Sequence, residues 1–514
     1  MLINEIIRRG AVLHADQIAV RFADDTLTFR DVDLLSNRLA QALIRVGVAP
    51  VGARVSLLMS NSLFTLPVDF ACAKARLTRV PVNARLSAQE QRRMIAEADV
   101  STLIFTVDQA ERAFELAGLC AGLSLFALGD AGGAANLLVM AEAEDGRPLD
   151  RRAEPDDIVL ALYTSGTTGR LKAAQHTQAS WAAVATNIIA NLVDIQPGDM
   201  MLHAASLIHA SGTFILPYWV RGGVAGVLPS FVPEAYFDAV RRWRPKALNL
   251  VPTMIGMLLD SPGVDQADFT SVETIIYGAS PMPRGVITRA LALWGPRFTQ
   301  YYGQSEAPLC IAVLGKSDHL GAKADARLMS CGKVSVDCEV RLIDEAGEDV
   351  APGAAGEILV RASFGMTGYM NAGELNRETI LPGGWIRTRD VGRFDEDGYL
   401  YLVDRTSDMI VSGGYNIYPR EVEDVLSGHD QVREVVVVGL PDDKWGEAVT
   451  AFVVAKPGAE LSADDLVAYA RFRLAAYKAP KSVQFIDEIP KSPVGKLLRR
   501  AVRDPFWAGR ERRI

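Results

Sequence analysis

Cysteine is scarce in this 514-residue chain: there are five, at 72, 120, 310, 331 and 338, with no CxxC pair among them. An odd number spread this widely builds no disulfide framework and fits no zinc spacing, so each is expected as a buried thiol in a reducing cytoplasm. Excess cationic charge is missing too. With 54 Lys and Arg against 62 Asp and Glu the net charge is −8, which argues against nucleic acid or an anionic membrane as the main partner. The terminal RERRI reads as a solvated end, and the sequence holds no internal repeat and no low-complexity tract.

A lipid-spanning run is nearly present. Residues 200–220 include no Asp, Glu, Lys or Arg, and their length matches the roughly 20 residues a bilayer needs. His203, Ser206, His209, Ser211, Gly212 and Pro217 interrupt the run, and hydrocarbon penalises such groups, so it is expected as core lining a cavity. At the N-terminus Glu5, Arg8 and Arg9 stand among Leu2, Ile3, Ile6 and Ile7. That spacing predicts a short amphipathic helix, not a secretion leader, and no transmembrane segment is expected.

What is present is ordinary globular composition, 49% hydrophobic and 23% charged, in a chain long enough for two or more cores. Between about 155 and 305, strand, glycine-rich loop and helix patterns repeat. Residues 158–163, 247–251 and 274–277 read as strands, the first as a fully buried parallel one, and Trp181, Val184, Ala185 and Ile188 share one helix face. Such alternation predicts layered α/β architecture with ligand loops at the strand ends. From about 334, the alternating CEVRLID, GEILVRA and GYLYLVD predict antiparallel strands. Beyond Asp404 a helix at 419–426, strands at 434–440 and 448–455, and a helix capped by Ser462 predict a compact α+β unit. In that last helix Leu466, Val467, Ala470 and Leu474 share a face. The expected division is 1–404, with a β-rich part at about 334–404, and 405–514.

Residues 163–172 read YTSGTTGRLK, with two glycines, four Ser/Thr hydroxyls and two cations after an apolar strand. Backbone N–H groups and hydroxyls in such a loop suit an anion, most simply phosphate. The spacing of Gly166, Gly169 and Lys172 is not the common GxxxxGK[ST], however, and a plain connector has the same composition. Four more motifs follow in order: YYGQSE (301–306), GWIRTRDVGRFDEDGYLYLVDR (384–405), DMIVSGGYNIYPREVE (408–423) and PKSPVGKLLR (490–499). Together with TSGTTGRLK they resemble the adenylate-forming superfamily of acyl-CoA synthetases, luciferases and peptide-synthetase adenylation domains, over roughly 150–500.

The resemblance implies a large α/β N-terminal domain, with layered mixed sheets, helices and a small β subdomain, and a small mobile α+β C-terminal domain. It also implies a two-step reaction with ATP, Mg²⁺ and coenzyme A: a carboxylate displaces pyrophosphate to give an acyl-adenylate, and a thiol then displaces AMP. Ser165, Thr167, Thr168 and Gly169 then cradle the β- and γ-phosphates, Thr164 and Gly166 complete the ATP loop, and Lys172 adds a point charge. Glu306 is the carboxylate for Mg²⁺. Tyr302 lies against adenine, and Gly278, Ala279 and Ser280 let the base approach the backbone. Asp390 takes the ribose hydroxyls, with Arg405 as a second ribose contact. Lys496 reaches the α-phosphate from the small domain, Gly413 and Gly414 line a channel for the pantetheine arm, and Ser407 is the pivot between half-reactions. The chain departs from the family at Ser407, where Asp or Lys is frequent, at Leu171 (commonly proline), Ala173 (commonly glycine) and Ser305 (commonly threonine). Leucine leaves φ free where proline fixes it, so a looser loop and slower adenylation are expected.

Amino-acid-activating relatives hold the substrate ammonium with an aspartate in an FDxS-like stretch. The matching residues here are Ile208, His209, Ala210 and Ser211, and an imidazole cannot balance an ammonium. His209 is expected beside the acyl pocket of a CoA-forming ligase, the alternative being a core histidine satisfied by its surroundings. Its setting, LIHASGTFILPYW, offers no cation for a second carboxylate. The expected substrate is therefore a hydrophobic monocarboxylic acid, fatty or aromatic. Loading of a separate carrier protein and a non-catalytic nucleotide-binding relative stand as alternatives, and a homodimer is left open.

Overall fold

The computed structural model describes residues 1–48, 50–165, 171–280, 282–405, 408–412, 415–442, 445–491 and 497–508, with backbone alone at 164, 165, 171, 404, 405, 415 and 416. In the first of two large sheets, strands Phe298–Tyr302, Thr274–Gly278, Ala247–Leu250, Met200–His203, Val224–Val227 and Ile18–Phe22 lie parallel in that spatial order. In the second, Ile158–Ser165, Thr78–Pro81, Arg54–Leu58, Thr102–Thr106 and Ser124–Leu128 are parallel, and Leu171–Thr177 and Gly368–Tyr369 add antiparallel strands at one edge.

Helices fill the space between the sheets. Helix Gln178–Asn191 starts at Thr177, whose hydroxyl accepts the Ser180 amide, and it buries Trp181, Val184, Ala185 and Ile188 as expected. Helix Ile3–Leu13 buries Ile3, Ile6 and Ile7. These residues join Val159 and Ala174 of one sheet and Met201, Ala247 and Ile276 of the other in a single core. On the outer face of the first sheet, helices Pro233–Trp243, Pro252–Leu259 and Arg284–Trp294 pack on Leu202, Leu248, Leu250 and Ile275. Residues 200–220 form strand Met200–His203, a 3₁₀ turn at Ala210–Phe214 and helix Ile215–Arg221. Among the described residues no helix is long and apolar enough to cross a membrane.

A smaller antiparallel sheet follows, built from Cys338–Ile343, Gly356–Ala362, Trp385–Phe394 and Leu400–Arg405. The last sheet centres on Val432–Asp442 and Gly446–Ala455. Val435 and Val437 pack on one side of it with Leu466 and Ala470 of helix Ala463–Arg473, while Val436 and Val438 pack on the other. Ser462 and Asp465 cap that helix reciprocally. The layered α/β part and the smaller α+β part are thus the architecture expected.

Two details differ from expectation. Strand Ile158–Ser165 does not feed a helix; it pairs antiparallel with Leu171–Thr177, setting Tyr163 opposite Ala173 and Thr164 opposite Lys172. The return strand leaves no period-two pattern in the sequence because Ala173, Ala174, His176 and Thr177 are all buried, which erases the alternation that marks a half-buried strand. All five cysteines are free, but Cys120 and Cys338 are only half-buried.

Candidate active site

Lys172 is the second residue of the return strand of the hairpin. Gly166, Thr167, Thr168 and Gly169 lie outside the described residues, and Thr164 and Ser165 are described by backbone alone. The Lys172 ammonium stands 5.5 Å from the centre of the Tyr369 ring. Burial pushes its pKa below the ordinary lysine value; Arg389 and Arg500 push the same way, while Glu306 and Glu378 oppose them. A half-buried lysine near two more cations is best balanced by an added anion.

Glu306 follows strand Phe298–Tyr302 and is pinned from three directions. The Tyr369 hydroxyl donates to its Oε1 at 2.6 Å, the Met366 amide donates to its carbonyl at 2.8 Å, and His176 Nε2 lies 2.8 Å from the Ser305 carbonyl. Oε2 takes no hydrogen bond from a described residue. Among the described residues no three His, Cys, Asp or Glu side chains gather as a protein-only metal cage. One carboxylate with an uncommitted oxygen fits Mg²⁺, which takes most of its ligands from water and phosphate.

Tyr302 and Asp390 meet directly. The phenol donates to Asp390 Oδ2 at 2.7 Å, and Gln304 Nε2 donates to the same oxygen and to the Thr388 carbonyl. Burial, and then the Asp390 charge, hold the Tyr302 hydroxyl far above its usual pKa, so it stays a donor. Arg405 lies opposite Asp390 in the strand register, with only its backbone described. Ala279 adopts φ +66°, turning the chain sharply after strand Thr274–Gly278. At Gly278 a Cβ would meet the Tyr301 carbonyl oxygen at 2.5 Å. That glycine is therefore required by its neighbouring strand whatever else approaches it.

The remaining candidates divide. Ser407, Gly413, Gly414 and Lys496 lie outside the described residues. On either side of residues 492–496, Lys491 bridges Leu497, and Arg499 pairs with Asp408 at 2.9 Å and Glu423 at 2.8 Å. His209 Nε2 is buried and has no partner among the described residues, and burial lowers its pKa to about 4. Tyr369, His176, Gln304 and Arg389 were not foreseen. Each acts across more than 60 residues of sequence or, for Arg389, through an uncommon φ of +59° beside Asp390, and local patterns carry no trace of either.

Comparison with known proteins agrees with this geometry. The AMP-binding enzyme family matches residues 7–370, and the AMP-binding enzyme C-terminal domain matches 421–496. A feruloyl-CoA synthase from Amycolatopsis is 37% identical over 97% of this chain and 98% of its own length. The fatty acid–[acyl-carrier-protein] ligase ScoC from Streptomyces coeruleorubidus is 34% identical over 95% of this chain and 93% of its own. The solved amide bond synthetase McbA from Marinactinospora thermotolerans superposes with a TM-score of 0.90 at 30% identity, covering 98% of this chain and all of that one. The chain therefore belongs to the AMP-binding, adenylate-forming enzymes, the family of the acyl-CoA synthetases.

Proposed function

We propose that this protein activates a hydrophobic monocarboxylic acid, fatty or aromatic, with ATP and transfers it to coenzyme A in the cytoplasm. A carboxylate oxygen attacks the α-phosphorus, and pyrophosphate leaves with the electrons of the broken P–O bond. The CoA thiolate then attacks the acyl carbon, and AMP leaves with the electrons of the acyl–oxygen bond. Lys172 balances the outer phosphates, and Glu306, held by Tyr369, would bind Mg²⁺. When bound, that ion supplies further neutralisation of phosphate charge. Tyr302 flanks the adenine and fixes the Asp390 carboxylate that accepts the ribose hydroxyls. Lys496 approaches from the 405–514 domain, which turns about Ser407 to bring Gly413 and Gly414 to CoA.

The observation that carries this reading is the convergence of Lys172, Glu306 and Tyr369 beside the Tyr302–Asp390 pair, drawn from three sheets. An acid panel assayed for CoA-dependent AMP release tests it. Fatty or aryl acids should turn over; turnover of amino acids alone would overturn the assignment. The likeness to ScoC supports a second reading, transfer to a carrier protein. It predicts AMP release with a phosphopantetheinylated carrier and little with free CoA.

A further inference from the structure

Further along the first sheet is a buried polar cluster that the nucleotide chemistry leaves unused. His203 ends strand Met200–His203, and Asn249 sits opposite it on Ala247–Leu250. His203 is 0% exposed and Ser211 2%. Strand alternation turns His203 and Asn249 to the side of Met201 and Ala247, toward the central core and away from Leu202 and Leu248. His203 Nδ1 lies 2.8 Å from Ser211 Oγ, and Asn249 Nδ2 donates to that same oxygen at 3.0 Å.

With Asn249 Nδ2 donating to Ser211 Oγ, proton counting gives the tautomer. A serine hydroxyl has one proton to give, and among the described residues His203 Nδ1 is the acceptor it meets. Burial keeps the imidazole neutral, with its pKa pushed down to about 3. Its own proton therefore sits on Nε2, and that N–H is buried without a partner among the described residues. His209, two residues before Ser211, holds a second buried Nε2 in the same condition. Buried polar groups are nearly always paired, so a donor left open among the described residues suits an acceptor on a bound ligand.

Location says which molecule brings it. Ligands of parallel α/β sheets bind at the carboxyl ends of the strands, where His203 stands. It is three strands from Phe298–Tyr302, a lateral distance of roughly 14 Å at strand spacing. With the nucleotide beside Tyr302, that is the place for the far end of the acid. We propose that His203 is a specificity-determining residue whose Nε2–H donates to an oxygen on the distal part of the acid, a phenol, aryl ether or ketone oxygen. Ser211 and Asn249 are positioning residues that hold the tautomer. The inference rests on the acid-activating function proposed above.

The test uses matched acids that differ in whether they carry the oxygen: 4-methoxycinnamate against 4-ethylcinnamate, and 9-oxodecanoate against decanoate. Wild-type kcat/KM for AMP release should favour the oxygen-bearing member of one pair by roughly 10- to 100-fold, and which pair it is separates an aryl from a keto acid. His203→Phe should bring that ratio to within about twofold of one. A wild-type ratio near one in both pairs, which needs no variant, would overturn the inference and leave acid activation standing. So would a ratio that survives His203→Phe. Failure of every acid to release AMP would sink the parent function and this inference together.

Discussion

Acid should destabilise the large domain through its buried histidines. His176, His203, His209 and His319 all have pKa values pushed down by burial. His176 is the cleanest case: 0% exposed, its Nε2 on the Ser305 carbonyl, its Nδ1 buried without a partner among the described residues, and its pKa lowered from 6.5 to about 4. An unfolded chain takes up a proton on this imidazole near pH 6.5, whereas the folded one refuses it until about pH 4. The associated stability is complete above pH 6.5 and is lost as pH falls through that window. At about 1.4 kcal/mol per unit, His176 alone removes about 3 kcal/mol by pH 4. His176→Gln keeps an N–H for the Ser305 carbonyl and cannot titrate. Urea unfolding followed by tryptophan fluorescence, with Trp181 5.3 Å from the His176 ring, is the assay. From pH 6.5 to 5 the variant should lose about 2 kcal/mol less than wild type. Parallel curves would refute the reasoning.

Gly278→Ala forces a Cβ to 2.5 Å from the Tyr301 carbonyl, so the thermal midpoint should drop with a loss of about 1–3 kcal/mol, and an unchanged midpoint would contradict that packing. Tyr302→Phe removes a hydrogen bond to a carboxylate worth about 1.5–3 kcal/mol and should raise KM for ATP roughly 10-fold with a smaller change in kcat; an equal KM would count against Asp390 as the ribose acceptor. Lys496→Ala should lower ATP–pyrophosphate exchange by on the order of 100-fold yet still form thioester from supplied acyl-adenylate, and equal loss of both steps would remove its assigned role. Leu171→Pro should speed the same exchange by stiffening the loop, and no change would count against that departure slowing the enzyme.

Most elements were legible because their patterns are local. The stripe Trp181, Val184, Ala185 and Ile188 and the Ser462 cap read from sequence as they stand in the structure. The hairpin was not legible, because a strand buried on both faces has no period of two. Within the site, ordered motifs gave Lys172, Glu306, Tyr302 and Asp390, which the fold brings together. Tyr369 was invisible: it reaches Glu306 only because Gly368–Tyr369 pairs with Gln175 and Ala174. Ala173, a departure from the family pattern, has a packing reason in its burial with Ala161 and Met370. Ser407 lies outside the described residues.

The hairpin also changes how a triphosphate has to be held. A strand that feeds a helix aims about half a unit of positive charge from the helix N-terminus at its phosphate. A strand that turns back on itself supplies almost none, because sheet dipoles nearly cancel. Side-chain cations arrive from separate elements: Lys172 from the hairpin, Arg389 from the third sheet and Arg500 from the C-terminal part. Burial first, and then the charges of Arg389 and Arg500, lower the pKa of Lys172. On one strand, Lys172 and His176 fall four apart and so share a face, and through His176 and Tyr369 that strand also sets the position of Glu306. Cation and carboxylate are thus tied to one strand, while the remaining charge comes from parts that must dock against it. On the proposed function, a site assembled this way would hold polyphosphate only while its parts are together, which suits a second step that proceeds without pyrophosphate.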